Sequence, residues 1–112
     1  PLYRAKYWNA MHCDSLPAGL AMCVFDFGVN AGINRGARYL QLTVGVIDDG
    51  HDGPQTLAAV DAYVAKHGPA EAVRSYQQAR RGYYRSLKQF PRYGKGWLRR
   101  VDETETEALK LS

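Results

Sequence analysis

The sequence lacks the marks of several protein classes. Cysteine is scarce: Cys13 and Cys23 form neither a disulfide framework nor a zinc-ligand pattern, so we expect two free, half-buried thiols in a chain made in a reducing compartment. No apolar run approaches the roughly 20 residues that a membrane-spanning helix needs, because the longest one, residues 18–29, is broken by Asp26 and two glycines. The chain begins with Pro1 and shows no signal peptide, which favours a processed or truncated piece of a longer protein.

Patterns typical of metal sites are also missing. The three histidines, His12, His51 and His67, lie in separate segments and do not have the spacing of metal ligands. The loop that starts at Asp48 is rich in Asp and Gly, but its twelfth position is Ala59 rather than the bidentate glutamate of a calcium-binding EF-hand. The sequence therefore predicts no metal and no cofactor.

The spacing of the apolar residues predicts an all-α fold. No segment alternates with a period of two, whereas apolar residues recur at three- and four-residue intervals along most of the chain. Three prolines, Pro17, Pro54 and Pro69, stand where helices should begin, since proline suits the first helical turn. Glycines at 32 and 45 stand where helices should end, because glycine accepts a left-handed backbone.

These signals give a set of expected helices. The segment after Pro17 is apolar nearly all round and should lie at the centre of the core. The longest helix should run from Pro69 to about Phe90, where Pro91 stops it, and residues 93–97 should form a turn. The expected helical ranges are 2–11, 17–31, 34–44, 54–67, 69–90 and from 98 onward.

Positive charge is concentrated in the second half of the chain. The net charge is +4, and nine Lys and Arg residues lie between Arg74 and Arg100 with no acid among them. One interpretation is the solvated face of a long helix. The other is a surface for an anionic polymer such as nucleic acid or a cell-wall polymer.

Polar and aromatic residues in apolar surroundings are the candidate binding residues. Asp26 and Asn30 lie four positions apart on the apolar helix, and a buried carboxylate is costly unless it is paired. They form either an internal hydrogen-bond network or a polar strip along a sugar-binding groove. Trp97 follows a basic, glycine-containing segment, where it either stacks on a sugar or base or packs on the core.

A loop rich in Asp and Gly precedes the helix at Pro54. Its glycines allow a tight turn, and its polar side chains can accept the N–H groups at the start of that helix. We interpret the loop as structural, with the turn formed by Asp49, Gly50, Gly53, Pro54 and Thr56.

Together these segments resemble the glycoside hydrolase 108 family, phage-type muramidases with a C-terminal predicted peptidoglycan-binding domain. The resemblance covers nearly the whole chain and rests on LPAGLAMCVFDFGVNAG (16–32), DGHDGPQTLAAV (49–60) and YRSLKQFPRYGKGWLRRV (84–101). It implies a lysozyme-like helical fold and, for the family, cleavage of the bond between N-acetylmuramic acid and N-acetylglucosamine in bacterial or prophage endolysins. The family's catalytic glutamate lies in an N-terminal Glu-Gly-Gly-Tyr motif that this sequence lacks. No catalytic residue can therefore be assigned, and enzymatic activity stays open.

The resulting hypothesis is the peptidoglycan-binding C-terminal portion of a muramidase, made in the bacterial cytoplasm and acting at the cell wall or periplasm. Residues 1–14 would be the tail of the upstream muramidase region and 15–112 the binding domain. Its partners would be glycan strands and an N-terminal segment or second chain that completes the fold. A basic nucleic-acid-binding protein and a standalone enzyme using Asp26 are the alternatives. The residues expected to contact substrate are Tyr7, Trp8, Asp26, Asn30, Tyr84 and Trp97.

Overall fold

The computed structural model describes residues 2–47 and 53–112, and within these ranges the chain forms six α-helices and no strand. The predicted all-α class is therefore confirmed. A single 3₁₀ turn, Cys13–Ser15, joins the first two helices. The helices are α1 (Leu2–Ala10), α2 (Ala18–Ala31), α3 (Ile33–Val44), α4 (Pro54–His67), α5 (Pro69–Arg85) and α6 (Phe90–Lys110).

Most helix boundaries are those that proline and glycine predict. Pro54 and Pro69 occupy the first turns of α4 and α5, where the missing N–H of proline leaves no helical hydrogen bond unmade. Gly32 and Gly45 follow the last residues of α2 and α3 with φ angles of 108° and 82°, a backbone conformation that disfavours other residues. Helix α3 begins at Ile33, directly after Gly32, one residue before the start of the expected range 34–44.

The C-terminal third differs from the sequence prediction. The helix expected to end near Phe90 ends at Arg85, and the expected turn at residues 93–97 lies inside α6. Pro91 begins this helix rather than stopping the previous one, because it sits in the first turn, where proline is tolerated. Gly94 does not break α6 because it is buried beneath the ring of Phe90, one turn earlier.

Helix α2 lies at the centre of the fold, as its apolar sequence predicts, and contacts α1, α3, α5 and α6. Its Phe27 is fully buried, and the rings of four tyrosines from α3 and α5 surround it at centroid distances of 5.4–6.3 Å. Edge-to-face contacts of this kind add to the stabilisation that comes from burial alone. These tyrosines are Tyr39, Tyr76, Tyr83 and Tyr84.

Helices α2 and α3 approach each other closely at a pair of glycines. A Cβ atom placed on Gly36 of α3 would lie 3.1 Å from the Cα of Gly28 and 3.1 Å from the Sδ of Met11. The hydroxyl of the buried Tyr76 donates a hydrogen bond of 2.9 Å to the carbonyl of Gly36. The close approach thus lets a side chain of α5 reach the backbone of α3, which joins three helices at one point.

Candidate functional site

An open cavity of about 430 Å³ lies where the C-terminal ends of α2 and α5 meet the first half of α6. We call it the aromatic groove. Three of the residues predicted to bind substrate, Asn30, Tyr84 and Trp97, line it together, although each lies on a different helix. The complete lining is Asn30, Ala31, Tyr83, Tyr84, Leu87, Gly96, Trp97 and Arg100.

Stacked rings form one wall of the aromatic groove. The rings of Tyr84 and Trp97 are stacked, with centroids 5.3 Å apart and planes at 28°. Tyr93, one turn earlier on α6, extends the row with its centroid 5.7 Å from that of Trp97, and 46 % of Tyr93 is exposed. Tyr84 is buried and Trp97 half-buried, so the row passes from the core to the surface. Both readings proposed for Trp97, packing and stacking on a ligand, are therefore compatible with its position.

Asp26 is held beside the groove by side chains from two other helices. Its Oδ2 accepts a hydrogen bond of 2.6 Å from Nη2 of Arg80 on α5, and its Oδ1 accepts one of 2.6 Å from Nη2 of Arg100 on α6. The Nε of Arg100 is 3.2 Å from Oδ1, and the hydroxyl of Thr104 is 3.3 Å from Oδ2. Both carboxylate oxygens are thus engaged within the fold, which is the internal network that the sequence offered as one of two interpretations.

These partners keep the carboxylate of Asp26 ionised. Burial raises its pKa, but the hydrogen bonds and positive charges of Arg100 and Arg80 outweigh burial, so the pKa lies below its ordinary value of 3.8. A general acid in glycoside hydrolysis needs the opposite shift, since it must hold a proton at neutral pH. The geometry therefore gives no support to the standalone enzyme with Asp26 as proton donor.

Arg80 is the functional residue that sequence reasoning missed. Its side chain is completely buried, and its guanidinium carbon lies 5.2 Å from the ring centroid of Phe27 and 5.6 Å from that of Tyr84. Its Nε and Nη1 have no hydrogen-bond partner in the described parts of the chain. The signal was present in the sequence, because Arg80 falls between Tyr76 and Tyr84 on the apolar face of α5 and could pair with the acid on α2.

The basic stretch from Arg74 to Arg100 does not form one solvated face. Arg80 is buried, and Arg81 is paired with Asp102 at 2.8 Å and with Glu105 at 3.1 Å. The acids that follow the basic stretch in sequence lie on α6, and because α6 packs against α5 they neutralise part of the charge of α5. Of the two arginines at the end of the stretch, Arg100 reaches the groove.

Tyr7 and Trp8 lie away from the other predicted residues. Trp8 lines a second cavity of about 460 Å³, between α1, α2 and the C-terminus, which shares no lining residue with the aromatic groove. Its indole nitrogen donates a hydrogen bond of 2.6 Å to Asp14, and its ring packs edge-on against Phe25 at 5.5 Å. Tyr7 packs against the core and does not line this cavity.

The predicted structural turn is described only in part. Asp49 and Gly50 lie outside the described residues, while Gly53 and Pro54 lead into α4 as expected. Thr56 is buried and accepts a hydrogen bond of 3.1 Å from the side-chain amide of Gln41 on α3. In residues 2–47 and 53–112 no cluster of three metal-ligating side chains occurs, and no helix is long and apolar enough to cross a membrane.

Two protein families match the chain in succession. Residues 1–32 match the family described as Glycosyl hydrolase 108, and residues 32–102, more than half of the chain, match the family described as Predicted Peptidoglycan domain. No curated protein matches. Among solved structures, the chain is similar to that of Brucella abortus SagA, with 37 % identity and a TM-score of 0.87, covering 95 % of this chain and 59 % of that one. The family resemblance and the lysozyme-like helical fold predicted from the sequence are confirmed, and no match favours the nucleic-acid alternative.

Proposed function

Because the chain belongs to the Predicted Peptidoglycan domain family and carries part of a glycosyl hydrolase 108 sequence, we propose that it binds the glycan strands of peptidoglycan in the aromatic groove. The family supports peptidoglycan as the partner, and the groove is the proposed place of contact. The observation that carries the proposal is the stacked pair Tyr84–Trp97 on the wall of an open cavity.

The groove has the composition of a carbohydrate site. Binding cavities combine a mostly apolar lining with a few polar groups that fix the orientation of the ligand. Here the faces of the Trp97 and Tyr93 rings offer an apolar surface to the C–H face of a sugar, while Asn30 and Arg100 offer hydrogen-bonding groups. The cavity is open to the surface, so a ligand can enter it from outside without a change in the fold.

The predicted contact residues have different roles in this proposal. Asn30, Trp97 and the part of Tyr84 that lines the groove contact the sugar. Asp26 acts through Arg100, whose guanidinium it holds at the groove, since both carboxylate oxygens are already engaged. Trp8 lines the second cavity, which is a competing location for the glycan, and Tyr7 packs against the core without lining either cavity.

Cleavage of the strand needs residues outside this chain. The chain spans 59 % of the length of SagA, and no Asp or Glu of the described residues lines the groove. We propose that the bond between N-acetylmuramic acid and N-acetylglucosamine is cleaved only when a segment with the family's catalytic glutamate is supplied, in the same chain or by a second one. Residues 1–14 would join that segment to the binding domain 15–112, and the protein would act at the cell wall or periplasm.

Binding to isolated peptidoglycan sacculi tests the groove directly. The purified chain is sedimented with sacculi, and the bound fraction is compared for wild type, Trp97→Ala and Trp8→Ala. We expect Trp97→Ala to weaken binding by about tenfold or more, which corresponds to ~1.4 kcal/mol, and Trp8→Ala to bind like wild type. Trp8→Ala is a matched control because it removes the same side chain from the other cavity.

The two tryptophans also give each cavity its own optical signal. The chain has no other tryptophans, so with selective excitation of tryptophan the Trp8→Phe variant reports only on the aromatic groove and the Trp97→Phe variant only on the second cavity. Soluble glycan fragments should change the emission of the first variant and leave the second unchanged. Sedimentation that is unaffected by Trp97→Ala, or a glycan-dependent change seen only in the Trp97→Phe variant, would contradict the proposal.

A further inference from the structure

The charges beside the aromatic groove do not cancel. Arg80 and Arg100 both bond to Asp26, which is one carboxylate for two guanidinium groups. Arg35 adds a third guanidinium, and the charge of the exposed Glu103 also acts on Arg100. Among these five residues three positive groups face two negative ones, and the lining of the groove contains Arg100 and no acid. The groove therefore keeps an excess positive charge.

Arg100 and Arg35 are held in position by other residues of the fold, and each keeps N–H donors that can bind a ligand. Arg100 uses Nε and Nη2 on Asp26, so its Nη1 has no hydrogen-bond partner in the described ranges. Arg35 donates from Nη1 to the carbonyl of Ala31 at 3.0 Å, and its guanidinium lies 4.6 Å from the ring centroid of Tyr83. Ala31 and Tyr83 both line the groove, so Arg35 lies beside it.

Preset guanidinium groups are suited to a particular ligand chemistry. An arginine held by a carboxylate and one stacked on a ring lose little freedom when they bind, and guanidinium N–H groups match the geometry of a carboxylate. Arg100 lies on one side of the cavity, on α6, and Arg35 follows α2 on α3, beside Ala31. A sugar lying against Trp97 would thus have Arg100 in the lining of the same cavity and Arg35 beside two other lining residues, Ala31 and Tyr83.

We propose that the aromatic groove selects glycans that carry a carboxylate over neutral ones, with Arg100 and Arg35 as the anion contacts and Asp26 as the residue that positions Arg100. This inference rests on the proposed function and deepens it. In peptidoglycan a carboxylate has two sources. One is the lactyl carboxylate of a muramic acid residue that carries no peptide, and the other is the set of acidic groups in an attached stem peptide. Neutral polymers of N-acetylglucosamine have neither.

Three soluble ligands separate these sources. The Trp8→Phe variant is titrated with a neutral N-acetylglucosamine oligomer, with glycan stripped of its peptides, and with a peptide-bearing glycan fragment. We expect at least one acidic ligand to bind roughly tenfold or more tightly than the neutral oligomer, and this preference should shrink as NaCl is raised because salt screens exposed charges. Which acidic ligand binds better identifies the carboxylate that is recognised.

Charge-removing variants complete the test. In the same background, Arg35→Gln should reduce the preference for the acidic ligand several-fold while binding of the neutral oligomer stays the same, because Arg35 lies beside the groove and does not line it. Arg100→Gln should weaken binding of the acidic ligand several-fold more than binding of the neutral oligomer. Arg74→Gln is the control, because Arg74 does not line the groove and its side chain is 55 % exposed, against 59 % for Arg100. Arg35 is exposed, so its substitution tests the idea without disturbing the Asp26 network.

The two proposals fail in different ways. Equal affinity for neutral and acidic ligands, or a preference that Arg100→Gln and Arg35→Gln leave intact, overturns the carboxylate inference alone. If none of the three ligands changes the emission of Trp97, the glycan-binding groove itself is refuted, and the carboxylate inference falls with it.

Discussion

Replacing Asp26 by asparagine should destabilise the protein strongly, because it leaves a buried cation without its counter-charge. Arg80 is completely buried, and Asp26 is only 15 % exposed. Removing one partner of a buried ion pair costs about 3–5 kcal/mol, and we expect the lower end, since asparagine keeps one hydrogen-bond acceptor. Against a typical total stability of about 5–15 kcal/mol, a loss of ~3 kcal/mol is large.

Urea unfolding followed by circular dichroism measures this loss. With a slope of about 1–3 kcal/mol per molar urea for a small protein, the midpoint should fall by roughly 1–3 M. Asp61→Asn is the matched control, because Asp61 is an exposed acid on α4 and its replacement should change the midpoint little. The double variant Asp26→Asn/Arg80→Met removes both charges and should recover much of the stability.

The effect should also depend on pH with a definite sign. The pKa of Asp26 is lowered in the folded protein, so the unfolded chain takes up a proton first as the pH falls. The stabilisation is therefore complete above the ordinary value near 3.8 and is lost as the pH falls from there through the lowered pKa. The gap between wild type and Asp26→Asn should close over this window. A gap below 1 kcal/mol at pH 7, or one that is the same at pH 7 and at pH 2, would refute the reasoning.

Two further predictions concern the core. Gly36→Ala should lower stability by about 1–3 kcal/mol, because the new Cβ would press on the backbone of α2. In contrast, Gly82→Ala in α5 meets no atom within 4 Å and should raise stability by about 0.5–1 kcal/mol. Thermal melts of the two variants check both values, and equal effects would contradict the close approach of the helices. Burial raises the pKa of the Cys23 thiol to about 12, and Cys13 is also buried, so a thiol reagent at pH 8 should modify neither until urea unfolds the chain. Fast reaction of the native protein would show that the core is open.

The helices could be predicted from sequence where their boundaries depend on local chemistry. Pro54 and Pro69 start helices, and Gly32 and Gly45 end them, because a missing N–H or a positive φ is a property of the residue itself. The boundary near Pro91 could not be read in this way. Whether proline ends one helix or begins the next depends on where the chain turns, and here it turns at residues 86–89.

The candidate site was predicted in its residue types but not in its arrangement. Asn30, Tyr84 and Trp97 were selected as polar or aromatic residues in apolar surroundings, and the fold brings them to one cavity. Trp8 was selected by the same reasoning and lies elsewhere, because the sequence does not give the distance between α1 and α6. Arg80 is one of nine basic residues between Arg74 and Arg100, and the sequence does not show which of them is buried. Only the packing of α5 on α2 distinguishes Arg80 from its exposed neighbours.

The aromatic wall of the groove stands on a regular helix and not on a loop. Tyr93 and Trp97 lie in the first two turns of α6, and the same helix ends 13 residues beyond Trp97, after Ala108, which is buried close to Gly19 of α2. The rings are therefore fixed in position before any ligand arrives, and association does not require a disordered segment to become ordered. Even a modest contact area can then give useful affinity, because little of the binding energy is spent on ordering the site.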